Sequence, residues 1–324
     1  MANSAGFSLL ELMIVLGLSS LVLLASQEFF THTQQRYLAQ QAVLRAQENT
    51  QLALQILHNA LQTAGEAGCL SSAQLPFTSQ VRHLPIQLTL LPVTGFFGHE
   101  GRWQPPLPYY LAHRPAINTD VVLIEHAGYA RAHLTKAMTT VQDPIHIPEQ
   151  LFAAGDIVLI ADCHRADLFK ISAVQNEAKG QVLQHLSPEN HSAALSHVYA
   201  VDAQVMHWQI EAYYLAQSTR QAGLALYRQS ILPDSPPIEL VAGIEKWAVN
   251  YVVLQNNQAQ RVNAASIQDW QQVKAVELEI LAFAPQASLT RPSYFWQGLA
   301  VTPNAPGHYA PGLWAVPLYN ASLQ

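Results

Sequence analysis

The side chains that could bind a metal together lie in the stretch "ADCHRAD" at residues 161–167. It brings Asp162, Cys163, His164 and Asp167 close together along the chain, and carboxylate, thiolate and imidazole are the usual ligands of zinc. Cys163 can serve as a ligand only as a free thiolate, so a disulfide at this residue would remove the site. The metal hypothesis therefore depends on the state of Cys163.

The other histidines do not strengthen the metal hypothesis. Among the 14 in the chain, His185, His191 and His197 recur every six residues, which fits neither one face of a helix nor a known ligand motif. The sequence contains no H-E-x-x-H, C-x-x-C, G-x-S-x-G, Walker or G-x-G-x-x-G pattern. Solvated or hydrogen-bonded histidines explain the composition without a metal. We therefore expect no metal, no cofactor and no enzymatic activity.

The composition is that of a folded protein without a strong nucleic-acid-binding surface. Half of the 324 residues are hydrophobic and 12% are charged, which excludes a disordered polymer and leaves room for one or two domains. The net charge is −6, and the 16 lysines and arginines are scattered along the chain. We therefore predict no strong binding to nucleic acid.

The N-terminal segment contains an acidic residue within an apolar run. Residues 7–25 include one charged side chain, that of Glu11, and a run of ~20 apolar residues is enough to cross a bilayer as a helix. A charge inside a span costs about 2.5–3.5 kcal/mol on insertion scales, so Glu11 indicates a function. The alternative is that Glu11 lies near the helix N-terminus, where its charge favours the helix dipole and reaches the headgroups.

Two other interpretations of the N-terminal segment account less well for its residues. A cleavable secretory signal requires a basic n-region, but residues 1–6, "MANSAG", contain no Lys or Arg, and "LLASQ" is a poor cleavage site. A plain signal anchor remains open, but it gives no reason for Glu11.

The apolar segment is predicted to continue as a helix beyond the membrane. No proline precedes Pro76, and good helix formers dominate residues 28–68. An apolar stripe repeats at steps of three and four residues and consists of Leu54, Leu57, Leu61 and Ala64. Gly65 and Gly68 provide a stop signal. Residues 7–27 are therefore predicted as a transmembrane helix and residues 28–68 as its amphipathic continuation.

Residues 69–324 are predicted to form a globular domain rich in strands. After Gly68, short runs rich in Val and Ile replace the helical periodicity, with Pro, Gly, Asn and Asp between them. These runs lie at 120–126, 155–163, 168–174, 204–216, 223–229, 247–254 and 273–283. A long helix followed by strands predicts an α+β fold in which an antiparallel sheet packs on the helix.

The two cysteines, Cys69 and Cys163, are predicted to form a disulfide bond. A chain that passes the membrane exports its domain, and an exported compartment permits pairing, whereas cytosolic thiols normally stay reduced. The alternative is two unrelated buried thiols. The bond would tie the end of the long helix to the strand at 155–163.

Residues 6–16, "GFSLLELMIVL", resemble the class III signal of type IV pilins and type II secretion pseudopilins. The resemblance implies that a prepilin peptidase cuts between Gly6 and Phe7 and N-methylates Phe7, so that residues 1–6 are a leader peptide. It also implies that Glu11 aids assembly of a helical fibre. Glu11 lies one helical turn after the new terminal amine, so it can pair with the amine of its own chain or with that of an adjacent subunit. One departure is that the leader contains no basic residue.

Segments of the domain resemble the PilW family of minor pilins in similar order. They are "AGEAGCLS", "GDIVLIADCHRADLFKIS", "LYRQSILPDSPPIELVAGIEKWAVNYVV", "DWQQVKAVELEILAF" and "GLWAVPLYN". The resemblance implies a minor pilin that primes assembly of a type IV pilus in a Gram-negative bacterium and lies near its tip. It implies an inner-membrane protein with a periplasmic domain before assembly and an extracellular pilus afterwards. The implied partners are other minor pilins, the major pilin, a large tip adhesin and prepilin peptidase.

Two alternative functions remain open. A J-type minor pseudopilin of a type II secretion system shares the signal and a similar strand order, although that family is typically shorter. The alternative from another class is a membrane-anchored exported enzyme or metal-binding protein. Stoichiometric metal, or activity of the isolated soluble domain, would favour the latter.

Residues 70–117 and 285–312 match no segment of these families. Both stretches are rich in proline and aromatic residues, as in "WQPPLPYY" at 103–110 and "RPSYFWQG" at 291–298. They are predicted as insertion loops or as a partner-facing surface, and the aromatic side chains as anchors of those loops on the core.

Overall fold

A computed structural model describes residues 9–69, 77–82, 91–108, 111, 114–255, 258–286, 293–303 and 305–318. The chain forms two compact units. The smaller unit consists of Met1–Glu48 and Phe283–Ala310. The larger unit consists of Asn49–Ala282 and Pro311–Gln324.

A single helix, α1, extends over Leu9–Gln62. It ends six residues before the predicted boundary at residue 68, because the chain turns at Thr63 and Gly65 adopts a positive φ of 74°. The backbone N–H of Gly65 then donates a hydrogen bond to the carbonyl of Glu125 at 2.7 Å. Glycine reaches this left-handed conformation without steric cost, so the predicted stop signal acts at Gly65.

The rest of the described chain is dominated by strands, which confirms the predicted α+β class. The strands are β1 Phe77–Ser79, β2 Val93–His99, β3 Arg102–Gln104, β4 Val121–His133, β5 Ile145–Ile147, β6 Ile157–Ala161, β7 Ala166–Lys170, β8 Ala173–Glu177, β9 Gly180–Gln184, β10 Gln204–Gln217, β11 Leu224–Leu232, β12 Ile238–Ala242, β13 Ile244–Gln255, β14 Gln258–Val262, β15 Val273–Pro285, β16 Tyr294–Trp296, β17 Leu299–Val301 and β18 Gly307–Pro317. Two short 3₁₀ turns, Ala264–Ser266 and Trp270–Gln272, precede β15.

Strand β10 is the centre of a nine-stranded sheet in the larger unit. It pairs antiparallel with β4 along most of its length, while its other edge pairs first with β6 and then with β11. The strand order is β1-β7-β6-β10-β4-β2-β3, and β12 extends the sheet beyond β11. The pair β1–β7 is parallel.

The described residues form three further sheets. A four-stranded sheet has the order β14-β13-β15-β18, and a three-stranded sheet has the order β5-β9-β8. Strands β16 and β17 form an antiparallel hairpin in the smaller unit.

Every strand predicted from an apolar run overlaps an observed strand, but two predictions need correction. The run at 168–174 is divided between β7 and β8, because the chain turns where Ser172 donates its N–H to the carbonyl of Gln184 at 2.8 Å. The stretch 285–312, predicted as insertion loops or as a partner-facing surface, contains β16, β17 and the first residues of β18. The prolines at 306 and 311 indicated that this stretch is not a strand, because proline disfavours strands except at sheet edges. β18 lies at such an edge.

The last turns of α1 lie in the core of the larger unit. Leu54, Leu57 and Leu61 belong to the predicted apolar stripe and are at most 7% exposed. Their cluster includes residues from the nine-stranded and the four-stranded sheet, among them Val122, Ile124, Leu215, Trp247, Leu278 and Ile280. Full burial of a leucine contributes roughly 1.5–3 kcal/mol, so this stripe holds the helix end to the sheets.

The buried carboxylate of Asp120 connects the nine-stranded sheet with the four-stranded sheet. Its Oδ1 accepts the N–H of Gly98 in β2 at 3.0 Å, and its Oδ2 accepts the N–H of Val249 in β13 at 2.8 Å. The indole of Trp247 donates to the Asp120 carbonyl at 2.7 Å. Burial raises the pKa of Asp120 to about 6, against the opposing effect of the two backbone hydrogen bonds.

Glu125 in β4 is a second buried carboxyl group, 3% exposed. Burial raises its pKa from an ordinary value of 4.5 to about 8, and the indole of Trp208 opposes this shift weakly. Within the described residues its Oε2 has no hydrogen-bond partner. The folded protein therefore holds Glu125 in the neutral form at pH 7.

We expect Glu125 to make the larger unit less stable as the pH rises. Its pKa is higher in the folded than in the unfolded chain, so between pH 4.5 and 8 the unfolded chain binds fewer protons. The free energy of unfolding should fall over this interval by up to about 1.4 kcal/mol per pH unit. In Glu125→Gln, which stays neutral, the part of this fall that Glu125 causes should disappear, whereas the fall below pH 6 that the raised pKa of Asp120 causes should remain.

Urea unfolding at several pH values between 5 and 8 measures the effect, with the exposed Glu100→Gln as matched control. The control should keep the wild-type pH dependence. Equal pH dependence in wild type and Glu125→Gln would show that Glu125 is ionised in the folded protein.

Candidate functional site: the exposed N-terminal helix

The first part of α1 exposes an apolar surface on all sides. Large hydrophobic side chains between Leu9 and Leu24 are 53–77% exposed. The most apolar 18-residue window of the helix has a mean hydropathy of 2.3, and none of it is buried among the described residues. By length and composition this segment is able to cross a membrane.

Hydroxyl groups within the apolar segment are satisfied by the helix itself. Ser19 donates to the carbonyl of Val15 at 2.7 Å, and Ser26 donates to that of Val22 at 2.7 Å. Because a free hydroxyl is costly in hydrocarbon, these bonds make the serines compatible with a lipid environment.

Glu11 lies in the first turn of α1 and is exposed. A carboxylate at this position interacts favourably with the positive end of the helix dipole. The predicted cleavage site, Gly6 and Phe7, lies outside the described residues.

In the smaller unit, α1 packs through small side chains against one end of β15 and one end of β18. Ala42 and Ala46 are 6% and 0% exposed and form a hydrophobic cluster with Ala284 and Ala310. Alanine allows close approach of the backbones, and the cluster begins well beyond the exposed apolar segment. The helix before Ala42 therefore has its apolar surface available to other molecules.

Cys69 and Cys163 are joined by a disulfide bond, with a Cα–Cα distance of 5.1 Å. The bond connects the segment that follows α1 with the segment that follows β6. Both cysteines belong to the larger unit, so the bond closes a loop within that unit.

The residues of the metal hypothesis have other roles in the structure. Cys163 is in the disulfide, and Asp162 Oδ1 accepts the N–H groups of His164 and Arg165, both at 2.7 Å. The buried Asp167 accepts hydrogen bonds from Ser196 and, at 2.7 Å, from the hydroxyl of Tyr199. Across the described ranges there is no cluster of three or more His, Cys, Asp or Glu able to hold a metal ion.

Two of the three spaced histidines, His185 and His197, have side-chain contacts within the domain. His185 Nε2 lies 3.0 Å from the carbonyl oxygen of Asp143, and its ring packs edge-on against Phe169. His197 packs edge-on against Tyr199. These contacts give the rings of His185 and His197 partners within the domain.

One exposed element, the β16–β17 hairpin, was not predicted from the sequence. Its turn consists of Gln297 and Gly298, with positive φ values of 51° and 77°. A two-residue turn ending in glycine between "YFW" and "LAV" is a hairpin signal that could have identified it.

Comparisons with known proteins found similarity to a family model and to a solved structure. A family model described as the prokaryotic N-terminal methylation motif matches residues 1–26. No curated protein matches the chain. Among solved structures, a type IV-like pilin from Thermus thermophilus is similar at 14% identity and a TM-score of 0.35, covering 85% of this chain and 96% of that chain.

At this identity and score the structural likeness carries no argument about function. The motif match does, because it falls on the segment that forms the exposed apolar helix with Glu11 in its first turn. The N-terminal segment of this chain therefore carries a class III prepilin signal, the prokaryotic N-terminal methylation motif.

Proposed function

We propose that this chain is a PilW-like minor pilin, a low-abundance subunit that primes assembly of a type IV pilus and lies near its tip. The observation that carries the proposal is the methylation motif at residues 1–26, which leads directly into an exposed apolar helix. That helix continues without interruption to Gln62, where its last turns belong to a β-rich core. Anchor and domain thus share one element, as a fibre subunit requires.

Processing converts the signal into an assembly segment. Prepilin peptidase cuts between Gly6 and Phe7 and methylates the new amine of Phe7, while the apolar helix stays attached. The chain then resides in the inner membrane with its β-rich part in the periplasm, where the Cys69–Cys163 bond is stable.

Assembly depends on Glu11. In the membrane the carboxylate lies near the headgroups, where its cost is small. In a fibre of packed helices water is excluded, and both the carboxylate and the terminal amine need a partner. A neighbour displaced by about one turn brings its amine to Glu11, which neutralises both charges and sets the axial register. The neighbours are other minor pilins and the major pilin, and a large adhesin binds at the tip.

Processing is tested by N-terminal sequencing of the protein extracted from membranes. We expect a methylated Phe7 as first residue, since Gly6 is small enough for the peptidase. In Gly6→Val the larger side chain should block cleavage and leave Met1 or Ala2 at the start. A chain that begins at Ser26 would instead have lost its apolar segment to an ordinary signal peptidase, and the proposal would be wrong.

Incorporation is tested by shearing fibres from cells and measuring this chain in them. A pilin is expected in sheared type IV pili together with other minor pilins. A chain that is correctly processed, absent from pili and found with type II secretion components would be a pseudopilin instead.

A further inference from the structure

The chain that follows α1 is attached to β4 by two backbone hydrogen bonds. The N–H of Gly65 donates to the carbonyl of Glu125 at 2.7 Å, and the N–H of Ala127 donates to the carbonyl of Glu66 at 2.7 Å. We call this pair of bonds the helix-end contact. His126 stands between the two bonded residues of β4 and is buried, with 5% of its surface exposed. A movement of His126 therefore acts on both bonds of the contact.

Both ring nitrogens of His126 face oxygen acceptors. Nδ1 lies 2.9 Å from the carbonyl oxygen of Ala127, which cannot donate, so Nδ1 must carry a proton. Nε2 lies 4.0 Å from Oε2 of Glu211 in β10, which is the distance of an ion pair rather than of a hydrogen bond. A neutral imidazole has one N–H and would turn a lone pair toward this carboxylate, whereas an imidazolium presents an N–H to each acceptor. The geometry therefore fits the protonated ring.

The strands beside β4 place one fixed carboxylate next to the ring. Oε2 of Glu211 also accepts the hydroxyl of Tyr213 at 2.7 Å, and its Oε1 lies 3.4 Å from Nη1 of Arg228 in β11. Strand β2 pairs with the other edge of β4 through Val93–Phe96 and brings no charged residue to this pairing. Glu211 is thus held by a hydroxyl and a guanidinium and faces the ring with a negative charge.

A second carboxylate comes from the chain after α1. Glu66 acts on His126 through its negative charge, and its Oε1 binds Nη2 of Arg131 in β4 at 2.8 Å. Burial by itself lowers the pKa of this histidine, but its interactions with Glu211, the Ala127 carbonyl and Glu66 outweigh the burial. The pKa of His126 is therefore raised above its ordinary value of 6.5. Electrostatics and geometry agree that the folded site favours the imidazolium.

We propose that His126 is a proton-dependent switch that tightens the helix-end contact when its ring is charged and loosens the contact when the ring is neutral. The neutral ring has one N–H for two acceptors. It must either face the Glu211 carboxylate with a lone pair or turn and lose the hydrogen bond to the Ala127 carbonyl. Either change disturbs β4 at the residues that bind Gly65 and Glu66.

The switch acts where the end of the long helix joins the nine-stranded sheet. The pKa of His126 is higher with the contact closed than the ordinary 6.5 of an open, solvated ring, so the closed state binds more protons. The contact is therefore strongest below pH 6.5 and weakens as the pH rises through the pKa of the folded protein. The attachment of the helix end thus follows the pH of the compartment around the β-rich part, whether or not the chain enters a fibre.

Amide hydrogen exchange of the full-length protein in detergent, read by mass spectrometry between pH 6 and 9, measures the contact. The rates of the Gly65 and Ala127 amides are divided by the intrinsic rate at each pH. We expect their protection to fall from pH 6.5 upwards, by up to about tenfold per pH unit, until the pKa of the folded protein is passed. In His126→Gln, which stays neutral, that part of the fall should disappear, and protection at pH 6 should be lower than in the wild type. Glu125 titrates in both proteins, so the difference between them belongs to His126.

Exchange of the ring Cε1 hydrogen provides the pKa of the individual histidine. We expect His126 to titrate above pH 6.5 in the wild type and at lower pH in Glu211→Gln, which loses the facing carboxylate. The fall in Gly65 protection should move to lower pH with it. The matched control is His207→Gln, which removes another imidazole paired with a carboxylate, that of Asp156 at 3.0 Å. This control should change neither measurement.

The outcomes decide the proposal without reference to fibres. The absence of free thiols verifies that a variant has folded. If His126 titrates at or below pH 6.5, or if the Gly65 and Ala127 amides keep the wild-type pH dependence in His126→Gln, the switch is wrong. If His126→Gln does not fold, Glu211→Gln decides, because an unshifted fall in protection would overturn the proposal. Failure of the switch is therefore distinguishable from failure of the proposed function.

Discussion

Glu11→Val is expected to abolish or sharply reduce entry of this chain into fibres while leaving membrane insertion intact and cleavage before Phe7 largely so. Valine makes the span more apolar, so insertion has no reason to fail. In the fibre the variant removes the carboxylate that would neutralise a neighbour's terminal amine. Leaving one charge of a buried pair without its partner costs roughly 3–5 kcal/mol, which corresponds to about a hundredfold or more in association.

The measurement is the amount of chain in sheared fibres and its co-purification with other minor pilins, normalised to processed chain in the membrane. Glu28→Val is the matched control, since Glu28 is an exposed acid of the same helix that lies beyond the first turn and pairs with His32. The control should assemble normally. Assembly of Glu11→Val at the wild-type level would show that Glu11 is only a charge at the helix N-terminus.

Removal of the disulfide is expected to lower the free energy of unfolding of the larger unit strongly. The bond joins residues 94 positions apart. In the chain-entropy model a loop of about 100 residues contributes up to about 4.7 kcal/mol, and measured values for native disulfides are commonly smaller. Cys69→Ser/Cys163→Ser should therefore lower the free energy of unfolding by about 2–4 kcal/mol.

Urea unfolding of the full-length protein in detergent measures this loss, and wild-type protein treated with a reductant is the control. The reduced wild type should match the serine variant, because both lack the same covalent link. Thiol titration of denatured, exported wild type should find no free cysteine. Two free thiols in that material, or equal stability with and without the bond, would contradict the prediction.

The sequence by itself determined the features that depend on neighbouring residues. The apolar run at 7–25 with Glu11, the stop at Gly65 and the Val- and Ile-rich strands are visible because helix and strand periodicity act over a few residues. The prepilin signal could likewise be predicted from the sequence, because its residues are contiguous. The helix end at Gln62 was missed by six residues because Gly65 bonds to Glu125, a contact that local propensity does not contain.

The tertiary structure alone decided which distant groups meet. Strand composition does not say that β10 pairs with β4, β6 and β11, nor that Asp120 accepts a hydrogen bond from Val249, 129 residues away. The same holds for Glu125, whose raised pKa follows from the groups that exclude water around it. The hairpin that exposes Phe295 and Leu299 lies in a stretch predicted as loop or partner surface. The exposure of a side chain depends on how the whole fold packs around it. Sequence periodicity shows only which face of a single helix or strand is apolar.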